Sequence, residues 1–367
     1  MNPSSLASFA VSSFARHETF HPRYGWLQKG VSQAEEDPET FSRGDTTVRL
    51  GVGKNMVHAI RYWCLAFKVL EERRNDEHPR VPELVPSPFG VALLGHDGCD
   101  PFLEHVGSLW LLHWMLLRRP CLAPAWWVAF NGMASRQWHE DALTRQITDW
   151  ADLAGWPSVV PASVKKDVDC LIRMYSSRQH GRQAIDDLLD CPFRELGLLV
   201  QVPSEARAWR FAAGEKPGLP DEIVGFACFD FALRSAPDAR SISIARLASE
   251  PGGPGLAFRL SETDIHGALA RLAAVHSGFR LAAPAGLRQI LYTDDPEDIA
   301  ADLLVCYYQD RSAPTQKITA AAFGYTDLRR ALTELDQDLE RESDVLRKLE
   351  LHQRRMQLLT AGAGSGR

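Results

Sequence analysis

From Leu93 to Trp114 the sequence reads LLGHDGCDPFLEHVGSLWLLHW, the most apolar helical stretch of the chain, with carboxylates and histidines at its start. A run so apolar has to be covered on every side, so the remaining segments must pack around it. Pro101 suits a first helical position and Asp100 the cap before it, which predicts a helix beginning there. Asp100 and Glu104, four apart, then share one helix end, and a turn at Gly98 can carry Asp97 back toward them. Three carboxylates so placed are a candidate cradle for one hard divalent cation, Mg2+ or alternatively Mn2+. Such ions need only one or two carboxylates when water and phosphate oxygens complete the shell. In the plainer reading, Asp100 merely caps the helix and its neighbours favour the helix dipole.

At 367 residues the chain is expected to hold several domains. A net charge of −6 requires any basic surface to be local. The N-terminus has no charged start followed by a continuous apolar core, and Leu109 to Leu117 is too short to span a bilayer. Seven scattered cysteines without a C-x-x-C pair suit reduced thiols, so a cytoplasmic protein with no membrane segment is expected.

Two short motifs invite chemistry that their surroundings reject. HETFH, His17 to His21, matches H-E-x-x-H, but Pro22 biases His21 away from helix and no long apolar helix surrounds it. His17 and Glu18 are left as polar groups beside an apolar run. Leu50 to Asn55 resembles a phosphate loop, yet Val48 and Asn55 stand where glycine and Ser or Thr are needed. From Lys54 onward the residues suit an amphipathic helix instead: Met56, Val57, Ile60, Trp63, Cys64, Phe67 and Leu70 on one face, Lys54, His58, Arg61 and Lys68 on the other. Arg43 and Arg49 lie just upstream. A basic stripe of this kind is either a solvated face or a helix that meets a phosphate backbone. Val81 to Pro88 and Phe89 to Leu94 are expected to form one or two strands of a wing.

The same order recurs. Glu140 to Ala154, closed by Gly155-Trp156-Pro157, reads as a helix, and Val164, Val168, Leu171, Ile172 and Tyr175 mark a second one with Lys165, Lys166, Asp169 and Arg173 outside. Cys191 to Val200 and Trp209 to Phe211 suit a hairpin. A third passage runs from Glu262 through His276 to Phe279–Leu281 and Gln289–Tyr292. Helix, helix, hairpin is the grammar of a winged helix-turn-helix unit. The expected fold is therefore mainly α with short β-hairpins (α+β), with tandem winged-helix-like units over 1-135 and 136-215, a third helical and hairpin domain over 216-320, and a long coiled-coil-like C-terminal helix with a disordered tail over 321-367. Asp221 to Leu233 reads as a buried helix, and Glu250 to Gly255 as a rigid turn where backbone can approach a ligand. Leu328, Leu332, Leu335, Leu339, Leu346, Leu349 and Met356 alternate steps of four and three, a seam for self-association or for folding back on the chain.

Taken in order, HETFHPRYGWLQKG, RLGVGKNMVHAIRYW, LLGHDGCDPFLEHVGSLWLLHW, AWWVAFN, VKKDVDC, CPFRELGLL and EPGGPGLAFRL resemble a bacterial family encoded beside DNA phosphorothioate-modification genes, the DNA nickases of single-stranded phosphorothioation defence systems. The resemblance covers nearly the whole chain. It implies a cytoplasmic, magnesium-dependent enzyme that nicks one DNA strand, with a cysteine desulfurase, an ATP-pyrophosphatase-type sulfur-transfer protein and an ATPase as partners. It does not fix the catalytic residues, which are assigned by chemistry. Asp97, Asp100 and Glu104 are the candidate metal ligands. His17, His96 and His105 are candidate proton acceptors, with Glu18 a further acid-base group. Arg43, Arg49, Lys54, His58, Arg61, Lys165, Lys166 and Arg173 are candidates for holding DNA. His113, deep in an apolar helix, suits a core histidine. Two other functions remain open: a non-catalytic winged-helix DNA-binding subunit, or a scaffold recruiting partners through its C-terminal helix.

Overall fold

In the computed structural model, which describes residues 3–76, 78–79, 81–133, 135, 137–156, 159–176, 191–203, 205–342 and 345–361, the central apolar run is split in two. Pro88–Leu94 forms α4 and Val106–Leu117 forms α5, every residue of α5 from Gly107 onward being buried. The helix expected at Asp100 starts only at Val106. Asp100 instead folds the intervening turn, its carboxylate accepting from the Glu104 N–H at 2.8 Å and the His105 N–H at 3.0 Å.

The N-terminal part consists of α1 (Trp26–Glu36), α2 (Thr46–Leu50) and α3 (Lys54–Ala66), followed by an antiparallel hairpin of β1 (Leu70–Arg73) and β2 (Glu83–Pro86). A hairpin is thus present, but its first strand is Leu70–Arg73, where Leu70 was expected on the helix face, and Phe89 to Leu94 is not a strand of it. Ser87 caps that segment as helix by accepting from the Gly90 N–H, and Pro88 suits its first turn.

Next come α6 (Pro124–Gly132), β3 (Gln137–His139), α7 (Glu140–Leu153), α8 (Pro161–Tyr175), β4 (Leu199–Gln201) and β5 (Ala208–Phe211). The helices lie where periodicity puts them, but the first hairpin strand is only Leu199–Gln201, because Pro192–Leu196 winds into a 3-10 helix. The unforeseen strand is β3, which pairs with the second hairpin strand to give the order β3-β5-β4. The third passage follows a similar plan with one more described helix: α9 (Asp221–Ser235), β6 (Ser241–Ser243), α10 (Ile244–Ser249), α11 (Pro254–Phe258), α12 (Glu262–Ala273), β7 (Phe279–Ala282) and β8 (Gln289–Tyr292), in the order β6-β8-β7. In both of these sheets the second hairpin strand sits centrally; among the described residues, two α-helices separate the first strand from the hairpin in the second passage and three in the third. All three passages share one continuous apolar core with α5 at its centre, rather than three separate ones.

The Gly-rich turn at Glu250–Gly255 packs against protein instead of facing a ligand: Gly252 donates its N–H to Asn131 Oδ1, and a Cβ on Gly255 would stand 2.3 Å from the Ala248 carbonyl oxygen. After α13 (Pro296–Gln309), the expected long C-terminal helix is two, α14 (Tyr325–Arg341) and α15 (Val345–Ala361), broken where Glu342 turns extended. Leu328, Leu332 and Leu335 fold back onto the body and are buried, whereas Leu346, Leu349 and Met356 are exposed. Pro157 and the tail beyond Ala361 lie outside the described residues. Among the described residues, no helix is long and apolar enough to cross a membrane, and no cysteine is in a disulfide.

A candidate nucleic-acid interface at the N-terminal loop

The segment Ala15 to Phe20, which contains the start of HETFH, is a turn and not a zinc-binding helix. Ala15, Glu18 and Thr19 all have left-handed backbone, φ 55°, 49° and 67°. Three such non-glycine residues within five positions are costly, and strain of this kind collects at functional sites. The loop survives because α3 and α8 hold it. Trp63 Nε1–H donates to the Phe20 carbonyl at 2.9 Å, and Arg173 Nη2–H donates to the Thr19 carbonyl at 2.6 Å.

His17 is therefore not a free proton acceptor. It is fully buried, lies 5.9 Å from the Trp63 ring in a stacked arrangement, touches Tyr62 and Trp126 edge-on, and donates or shares its Nε2 proton with Asp167 Oδ1 at 2.8 Å. Burial holds the Asp167 carboxyl above its ordinary range, with the hydrogen bond and charge of His17 opposing the shift. Glu18, the next residue, points outward. It lines a cavity of about 340 Å³ with Ser13, Arg16, His58, Arg61, Tyr62, Leu65 and Leu122, and its Oε1 stands 3.8 Å from His58 Nδ1. On the other side of the loop a cavity of about 410 Å³ is lined by Thr19, Glu140, Lys166, Asp169, Ile172 and Arg173. The exposed faces of α3 and α8, expected separately from sequence, thus meet across one strained loop.

The remaining candidates divide according to their partners. Lys54, Lys165 and Lys166 are exposed, with no ion pair among the described residues. Arg61 is ion-paired with Glu72 at 2.7 Å. Arg43 pairs with Asp37, and Arg49 with both Asp37 and Asp45, which neutralises that end of the stripe. Lys68 leaves the basic face altogether. Its Nζ donates to the Met115 carbonyl at 2.7 Å, and burial lowers its pKa to about 8.

The acidic cradle expected from sequence is not assembled. Asp100 is buried and bound to backbone N–H groups, Glu104 is exposed, and Asp97 is exposed with Lys317 at 3.9 Å. Among the described residues, no group of three or more His, Cys, Asp or Glu side chains is placed to hold a metal ion. His96 is exposed, and His105 packs edge-on to Tyr308; neither lines the cavity beside Glu18. His113 is the core histidine expected, Nδ1 at 2.7 Å from the Tyr175 hydroxyl and Nε2 at 2.9 Å from the Ala257 carbonyl. Sequence reasoning missed Arg16, Tyr62 and Asp167. The last carried a signal: a carboxylate among Val164, Val168 and Leu171 on the apolar face of its helix.

Residues 14–308 match the family described as "Protein of unknown function (DUF4007)". Two solved structures, described as "SspB crystal structure" and "Magnesium ion-bound SspB crystal structure", are each 41% identical and superpose with a TM-score of 0.81, covering 96% of this chain and 98% of theirs. No curated protein matches. With four-fifths of its length under that family pattern and nearly all of it shared with SspB, the chain belongs to the DUF4007 family and is SspB-like throughout its fold.

Proposed function

We propose that the chain is a magnesium-dependent DNA nickase of a phosphorothioate-modification system, and that its phosphodiester site is the cavity beside Glu18. The observation that carries this is the strained loop that places Glu18 and Arg16 against His58 and Arg61 between two basic helices. Glu18 is the carboxylate of that cavity, so the protein offers too few ligands for a closed cage. That suits magnesium, which takes its other ligands from water and the substrate phosphate. SspB has a magnesium-bound form. Glu18 would hold such a cation, whose chemistry there would be to neutralise phosphate charge and to lower the pKa of a bound water. Arg16 and Arg61 hold the phosphate, Glu18 fixes the cation side, and His58 takes the proton of the attacking water. Lys54, Lys165 and Lys166 hold the flanking backbone. A cytoplasmic setting and sulfur-transfer partners, the desulfurase, the ATP-pyrophosphatase-type protein and the ATPase, belong to the same proposal.

The test is conversion of supercoiled plasmid to open circles, with magnesium or with EDTA. Wild type is expected to nick only with magnesium. Glu18→Gln and His58→Ala should lose about 100-fold or more in rate, in the range for positioned acid-base groups. An Asp97→Ala/Glu104→Ala double variant should nick normally. Normal nicking by Glu18→Gln would move the chemistry elsewhere. The exposed Lys54, Lys165 and Lys166 on α3 and α8 also suit a second function, a non-catalytic DNA-binding subunit. That protein would bind DNA equally well in EDTA and never nick.

A further inference from the structure

Glu18 is held from behind by a carboxylate that never reaches the cavity. Asp167 Oδ1 accepts two hydrogen bonds from the loop, from the Ala15 N–H at 2.8 Å and from His17 Nε2 at 2.8 Å. Its residue is only 2% exposed, on the inward face of α8. The His17 ring fills a box of Tyr62, Trp63 and Trp126, so the imidazole couples α8 to α3 through the loop. A buried carboxylate costs several kcal/mol of desolvation unless hydrogen bonds offset it, and an apolar residue would pack there at less cost. Here both bonds fix the residues on the N-terminal side of Glu18, while Arg173 and Trp63 fix the two that come after it.

We propose that Asp167 is a positioning residue for the reaction at Glu18, acting through His17 and the Ala15 N–H to keep the loop in its left-handed form. This inference rests on the nicking function proposed above. Without the Asp167 bonds the loop relaxes toward ordinary backbone, and Glu18 swings away from His58 and the phosphate. Misplacing a reacting group by an ångström costs up to about 100-fold in rate.

The experiment uses the full chain with three variants: Asp167→Ala, Asp167→Asn, which keeps an Oδ1 acceptor, and His17→Phe, which keeps an aromatic ring in the box but lacks Nε2. Amide exchange is read by mass spectrometry, alongside kcat for plasmid nicking and the Kd for DNA. Asp167→Ala and His17→Phe are expected to speed exchange over residues 15–20 while α3 and α8 stay protected, and to lower kcat about 10- to 100-fold with Kd within about twofold. Asp167→Asn should recover most of kcat. If His17→Phe and Asp167→Ala nick at the wild-type rate, or if α3 and α8 lose protection together with the loop, the positioning role is wrong and the pair is merely structural. Should Asp167→Ala not fold, His17→Phe still decides the matter. A wild-type chain that does not nick at all refutes the function itself, a result separable from wild-type rates in the variants.

Discussion

Lys165 and Lys166 give the sharpest test of which cations meet DNA. Both are exposed on α8 without an ion pair among the described residues, whereas Arg43 and Arg49 are engaged by Asp37 and Asp45. A cation that neutralises a phosphate releases counterions, lowering the slope of log affinity against log salt by about 0.9 per contact on duplex DNA. Replacing both lysines by alanine should therefore flatten the slope by about 1.8. Between about 50 and 200 mM salt, a fourfold change, that amounts to about 12-fold less loss of affinity than wild type suffers. Arg43→Ala/Arg49→Ala removes the same formal charge, but from groups already neutralised by carboxylates, so the slope should shift by well under one unit. The assay is fluorescence anisotropy with a short labelled duplex over a series of salt concentrations. An unchanged slope in the lysine variant, or an equal shift in the arginine variant, would refute the placement of the interface across α8 and α3.

Two further outcomes concern stability. Asp230, fully buried, accepts from Arg118 and Arg234 at 3.0 Å each, from the Tyr325 hydroxyl at 2.8 Å and from Trp114 Nε1 at 2.9 Å, tying α5, α9 and α14 together. Asp230→Asn keeps the shape but leaves the buried Arg118 and the partly buried Arg234 without a counter-charge, so urea unfolding should show a loss of about 3 kcal/mol; an unchanged midpoint contradicts this. Burial lowers the pKa of both His113 and His21 from 6.5 to about 4. The unfolded chain then binds more protons than the folded one below pH 6.5, so stability is complete above that value and falls as pH drops toward 4. Each histidine should cost about 2 kcal/mol at about pH 5; equal stability at neutral pH and at that acid pH would show that neither is held neutral.

Much of this architecture was legible locally. The apolar repeat through Val164, Val168, Leu171 and Tyr175 marks α8, and the lysines between those positions are indeed its outer face. The hairpin strands at Trp209–Phe211, Phe279–Leu281 and Gln289–Tyr292 were also legible, because alternation and turn residues are properties of a few neighbouring positions, whereas the first strand of the N-terminal hairpin, Leu70–Arg73, was not. Phe89 to Leu94 was not: a short apolar run fits strand and helix equally, and the Ser87 cap settles it. The acidic residues near Asp100 look like a site because they are close in sequence. Yet the backbone turns Asp100 inward to its own N–H groups and leaves Asp97 and Glu104 in solvent.

The sequence alone determined where most helices and strands form, since an i to i+4 pattern or an alternating one is set by the geometry of a single segment. It did not determine that His17 meets Asp167, 150 residues away, or that Glu18 faces His58. Those pairings depend on which apolar faces close on one another around α5, and that choice exists only once the whole core is packed.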